Sequence, residues 1–126
     1  MRKFPSILKT ASSVLAIAGS LALFPVTGTT AEAQTASVTE QGKALAFNRK
    51  KGNCLACHQI QGGKLAGNIG PPLVSMKARY PDKAKLRAQI WDATKANPNT
   101  IMPPFGRNKI LSESEIDKIV EFIYTL

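Results

Sequence analysis

Apolar residues follow two regimes along the chain. Between Ala11 and Val26 they run almost unbroken, interrupted by Ser12, Ser13, Gly19, Ser20 and Pro25. From Ala44 onward they recur among polar residues at spacings of three and four, the period of helices packed on one face. Ala44, Leu45, Ala46 and Phe47 predict a short helix from Glu40 to about Lys51, stopped near Gly52-Asn53. Leu86, Ile90 and Ala93 form a stripe at i, i+4, i+7 within a helix from Asp82 to Ala96; Pro81 suits its first position and Asn97-Pro98 ends it. Ser112 and Glu115 form a capping box, after which Ile116, Ile119, Val120, Ile123 and Tyr124 line one face to the C-terminus. No stretch alternates with period two between hairpin turns. The expected fold class is all-α, with three main helices.

The segments between these helices are long. Gln61 to Pro72 is rich in glycine and proline, and Asn99 to Lys109 contains Met102-Pro103-Pro104-Phe105-Gly106. Structureless loops of this length are uncommon in a small domain, unless a large ligand gives them something to wrap.

The first regime has another reading. Arg2, Lys3 and Lys9 precede the apolar run, and small residues lead to Ala31-Glu32-Ala33. A basic segment, an apolar segment and an A-x-A site describe a secretory signal peptide over residues 1–33. The run falls short of the roughly 20 residues that span a bilayer, so the mature chain is expected in the periplasm with no membrane span. Residues 34–39 then form a flexible polar tail and residues 40–126 one domain. With 126 residues in all, several domains are excluded, as is an internal dinucleotide-binding unit, because no Gly-x-Gly-x-x-Gly follows a strand pattern. Removing residues 1–33 lowers the net charge from +9 to +7, which suits acidic partners. Nucleic acid is not expected of an exported chain without interleaved aromatic and basic residues.

The only two cysteines stand in Cys54-Leu55-Ala56-Cys57-His58, the C-x-x-C-H signature of covalent haem c attachment. A redox disulfide would call for a thioredoxin-like βαβ setting, and structural zinc for four ligands where this chain offers three. Both thiols are expected to join one haem as thioethers, with His58 as proximal iron ligand. His58 is the sole histidine, so the second ligand must be another residue type. Met76 lies 18 residues past His58 and Met102 lies 44 past it. Reaching the opposite side of the macrocycle favours Met102, while Met76 is read as core filling. His/Met ligation favours Fe(II) and suits one-electron transfer. The Pro71 carbonyl is placed to orient His58; Phe47, Leu73 and Phe105 are candidate haem walls; Arg79, Tyr80 and Trp91 are candidate propionate contacts.

Together these motifs resemble the class I cytochrome c family. More narrowly, Gly52-Asn53-Cys54-Leu55-Ala56-Cys57-His58, Ile69-Gly70-Pro71-Pro72-Leu73, Gln89-Ile90-Trp91-Asp92-Ala93, Met102-Pro103-Pro104-Phe105-Gly106 and the ending Ile119-Val120-Glu121-Phe122-Ile123-Tyr124 are similar to the SoxX family, the monohaem subunits of SoxAX cytochromes in bacterial sulfur oxidation. The resemblance implies a SoxA-like heterodimer partner and a SoxYZ-like carrier protein reached through the complex. It also implies a small diffusible cytochrome c as electron acceptor. It makes the chain a non-catalytic electron-transfer subunit of an L-cysteine S-thiosulfotransferase, with no catalytic residue of its own. In such complexes the bond chemistry sits on the partner, and this chain has no cysteine outside the haem motif. The alternative is a free-standing periplasmic shuttle. A stable partner calls for apolar surface around the haem edge, whereas a shuttle would ring it with cations such as Lys50, Lys51, Lys64, Arg107 and Lys109.

Overall fold

The first and last helices cross so closely that their backbones touch. Helix α1 spans Val38–Phe47 and helix α4 spans Glu113–Ile123. A Cβ added at Gly42 would overlap the Lys118 carbonyl, so only glycine admits this crossing. Next to it, Ala46 is fully buried and Phe47 meets Phe122 edge to face, with centroids 5.8 Å apart at 84°. Between these helices lie α2, Met76–Arg79, and α3, Lys83–Trp91. Single 3-10 turns occupy Cys54–Ala56 and Ala93–Lys95. This computed structural model describes residues 36–126, which lie in one compact unit. The expected signal peptide, residues 1–33, lies outside the described residues.

The fold is all-α, with three longer helices and extended loops. Among the described residues the sole β pairing is an isolated parallel bridge between Ile60 and Leu73. The core is built from Ile116, Ile119, Val120, Phe122 and Ile123 of α4, Leu86 and Ile90 of α3, and Met76, Phe105 and Leu111. Each large aliphatic side chain buried there contributes about 1.5–3 kcal/mol relative to exposure. Charged pairs lock α3 to α4 across their outer edge: Arg87 with Asp117 at 2.6 Å and Glu113 at 3.3 Å, and Lys83 with Glu121 at 3.0 Å.

Helix boundaries depart from the sequence reading for local reasons. Helix α1 starts at Val38, not Glu40, because Ser37 and Glu40 form a capping box, which draws residues 37–39 out of the expected tail. It ends at Phe47, where Asn48 turns to extended backbone. Pro81 precedes α3 instead of opening it: the Asp82 carboxylate accepts the Ala84 N–H at 2.8 Å and caps the helix from Lys83. Helix α3 stops at Trp91, short of Ala96, because Asp92 leaves helical backbone (φ −153°, ψ 86°) and its carboxylate accepts the Thr94 N–H to start a new turn. Ala93, expected as the third residue of the α3 stripe, is buried from that turn. Helix α2 has no counterpart in the sequence reading; four residues carry too little periodicity to reveal it. The capping box at Ser112 and Glu115 forms as expected, while Tyr124 falls just past α4 and donates its hydroxyl to the Pro81 carbonyl at 3.1 Å.

Candidate functional site

Helix α1 delivers the chain to a tight turn that faces the C-x-x-C-H segment inward. Asn48 caps the helix, and Asn53 adopts left-handed backbone (φ 46°), a conformation asparagine tolerates. The Cys54 carbonyl then accepts the N–H groups of Cys57 at 3.2 Å and His58 at 2.9 Å. Residues three and four apart on such a turn share a side, and Cys54, Cys57 and His58 all line one cavity of about 490 Å³. The cysteines are not paired with each other. Burial pushes the Cys54 thiol up to about 11, the opposite of the lowered thiol of a redox dithiol.

The glycine-proline loop is laced onto this turn. Gly67 N–H donates to the Leu55 carbonyl at 2.8 Å, Gly70 N–H to Cys57 at 2.9 Å, and Leu73 N–H to Gln59 at 2.9 Å. A Cβ at Gly67 would overlap the Ala56 carbonyl, and one at Gly70 would come within 2.5 Å of His58 Cε1. The loop therefore lies flat against the imidazole. Pro72 biases Pro71 to extended backbone, and the Pro71 carbonyl oxygen lies 2.7 Å from His58 Nδ1. A carbonyl can only accept, so Nδ1 carries the proton and Nε2 keeps its lone pair.

The second loop also lines the cavity. Met102 lines the cavity with Thr100, Ile101, Pro103 and Phe105, and its N–H donates to Thr100 Oγ1 at 3.1 Å. Met76 also reaches the cavity, but it is 2% exposed and its sulfur accepts from Arg79 Nη1 at 3.5 Å. The floor is apolar: Leu73, Leu86, Ile90, Leu111, Ile119 and Ile123.

Of the candidate site residues singled out in the sequence, Cys54, Cys57, His58, Met102, Pro71, Leu73, Phe105, Arg79 and Tyr80 come together here. Arg79 does so while donating to the Pro72 carbonyl at 2.8 Å. Two of the candidates lie outside the cavity lining. Phe47 does not wall the cavity, because at the end of α1 it turns toward Phe122 of α4. Trp91 does not line it either: its indole packs on Gly106, with the Arg87 guanidinium 5.4 Å from the ring centroid. The cavity also takes in Arg49, Gln89 and Ile110, which the sequence reading missed. Arg49 borders the cysteine motif in sequence, a proximity that was readable, whereas Gln89 and Ile110 arrive only through folding.

The donor set fits haem c. Two unpaired thiols, an imidazole with its outer nitrogen satisfied, and a methionine from the second loop share one apolar cavity, whose volume lies within the roughly 300–1,000 Å³ of cofactor pockets. The sequence profile of the cytochrome c family matches residues 39–126. The chain belongs to the cytochrome c family. It is 29% identical over 82 residues to cytochrome c-552 of Nitrosomonas europaea, a match covering 61% of this chain and 73% of that one. Its fold matches a chain of the crystal structure of SoxXA from P. pantotrophus with a TM-score of 0.63 at 27% identity, covering 73% of this chain and 83% of that chain. The protein is a SoxX-like class I cytochrome, and covalent haem c and electron transfer follow from its family. Among the described residues no helix is long and apolar enough to cross a membrane.

Proposed function

We propose that this cytochrome is the electron-transfer subunit of a periplasmic SoxAX-type complex. In that role it takes up electrons released when a SoxA-like partner joins thiosulfate to a carrier-protein cysteine, and it passes them to a small cytochrome c. Joining a cysteine thiolate to thiosulfate makes one S–S bond and releases two electrons, so a chain with a single haem serves two one-electron transfers per thiosulfate. Cys54 and Cys57 would anchor that haem, and His58 and Met102 would bind its iron. Held there, haem c supplies reversible one-electron chemistry. The Pro71 carbonyl keeps the imidazole oriented, and the apolar floor from α3 and α4 keeps water away.

The observation that carries this reading is apolar surface exposed outside the cavity, at Leu65 and Val74. Ile69 and Ile101 line the cavity, where haem c would cover them. Leu65, 93% exposed, and Val74 are not among the lining residues, so nothing that fills the cavity covers them. Exposed apolar side chains that the haem would not bury suit a lasting partner. Of the five cations that would favour a shuttle, Lys51 is held by Glu115 at 2.7 Å and Arg107 by Asp92 at 3.0 Å.

The test is copurification of the tagged protein from thiosulfate-grown cells, with the gel stained for covalent haem. A second subunit at one-to-one ratio is expected, bearing haem or a reactive cysteine. A lone haem-staining band would leave a free shuttle.

A further inference from the structure

The loop that carries Met102 is fastened at its far end to the last turn of α3, by groups the haem site itself does not use. The Trp91 carbonyl accepts two N–H groups from this loop, Gly106 at 3.0 Å and Arg107 at 3.4 Å. The Trp91 indole lies flat under Gly106, where any Cβ would overlap the ring. Its neighbour Asp92 is 4% exposed, the one buried charged side chain of the described core. The Asp92 carboxylate accepts from Thr94 Oγ1 at 2.5 Å and from Arg107 Nη1 at 3.0 Å, and Arg107 Nη1 also reaches Thr94 Oγ1 at 3.0 Å. Arg87, over the indole, is itself tied to Asp117 and Glu113 of α4. An unbroken series of contacts thus runs from α4 through Trp91 to the Met102 loop.

We propose that Asp92 and Arg107, with Trp91 seated on Gly106, are positioning residues that hold Met102 in place as distal ligand. The inference rests on the Met102 assignment above. Arg107 is joined to Met102 through Pro103, Pro104, Phe105 and Gly106, a stiff connection in which two residues have fixed φ. Fastening one end restricts the other. Without the ion pair, the loop opens more often, and each opening frees the position Met102 holds. An exogenous ligand then binds with an apparent affinity that rises with the open fraction.

The experiment uses covalently loaded holoprotein carrying Arg107→Gln or Asp92→Asn, titrated in the ferric state with free imidazole. Both variants are expected to bind imidazole roughly threefold to tenfold more tightly than wild type, as suits loss of a partly buried ion pair. Arg107→Lys should restore much of the wild-type value. Lys83→Gln, which breaks a different ion pair between α3 and α4, should leave imidazole affinity unchanged even if it lowers the melting temperature. Unchanged imidazole affinity in both Arg107→Gln and Asp92→Asn would overturn the proposal, as would an equal gain in Lys83→Gln. Failure of the ligand assignment shows separately: Met102→Ala would then keep the thioether-to-ferric charge-transfer band.

Discussion

The His58 imidazole is held by the backbone of a proline: its Nδ1 donates to the Pro71 carbonyl oxygen over 2.7 Å. That carbonyl has a fixed direction, because Pro72 restricts the residue before it. Gly70 supplies the clearance, since a Cβ there would stand 2.5 Å from Cε1 and 2.7 Å from Nδ1 of the ring. One loop thus sets both the tautomer and the tilt of the imidazole.

Gly70→Ala is therefore expected to keep covalent attachment, which depends on Cys54 and Cys57, while disturbing the proximal ligand. Optical spectra of the ferric and ferrous variant should show weakened ligation, with a shifted reduction potential. Spectra and potential identical to wild type would mean the ring has room that the backbone geometry denies it.

The two methionines predict opposite outcomes. Met102→Ala should retain covalent haem and lose the low-spin His/Met spectrum. Met76→Leu should keep that spectrum and lose at most about 1.5 kcal/mol of stability, as a near-isosteric core change. Met76 is the more buried of the two, but its sulfur already accepts from Arg79. Reversed results would assign the ligand to Met76.

Gly42→Ala should destabilise the fold by about 1–3 kcal/mol, the usual cost of overpacking. The added methyl meets the Lys118 carbonyl, a backbone atom that cannot rotate away. Denaturant unfolding of the holoprotein measures this directly. Ala46, one turn further along, offers the comparison of a methyl the same interface accommodates.

Acid stability follows from carboxylates held below their ordinary values. Glu115 is lowered chiefly by the Lys51 ammonium and then by the Ser112 N–H. Asp92 is lowered first by the Thr94 hydroxyl and also by Arg107, and Glu40 chiefly by the Ser37 N–H. A group with a lowered folded pKa stabilises fully above its unfolded value and ceases to as pH falls through the folded one. The melting temperature should thus hold steady from neutral pH toward the ordinary 4.5 of a glutamate, then fall as the lowered values are passed. Lys51→Met should lower the plateau and soften the fall. A melting temperature that rose on acidification would contradict this.

Much of the site was legible because its chemistry is local. Cys54, Cys57 and His58 lie within one turn, and the Ser112–Glu115 capping box and α4 stripe lie within a few turns. The Pro71 carbonyl was also placed correctly opposite the imidazole, since a short glycine-proline loop can turn back on the motif. What the sequence did not reveal depended on tertiary direction. Phe47 and Trp91 are large aromatics near the motif residues in sequence, but rotation about their helices turns one to α4 and the other to Gly106. The need for glycine at position 42 is set by the Lys118 carbonyl of α4, a partner 76 residues away in sequence. The early end of α3 had a signal in Asp92-Ala93-Thr94, a capping sequence obscured by the apolar stripe running through it.

The most direct test of the account adds thiosulfate anaerobically to the ferric holoprotein, alone and with its copurified partner and carrier protein, and follows haem reduction by absorbance. Reduction only in the presence of the partner, with Cys54 and Cys57 covalently attached throughout, is the predicted result. No reduction in the assembled complex, or equal reduction of the isolated chain, would contradict the placement of this cytochrome in thiosulfate oxidation.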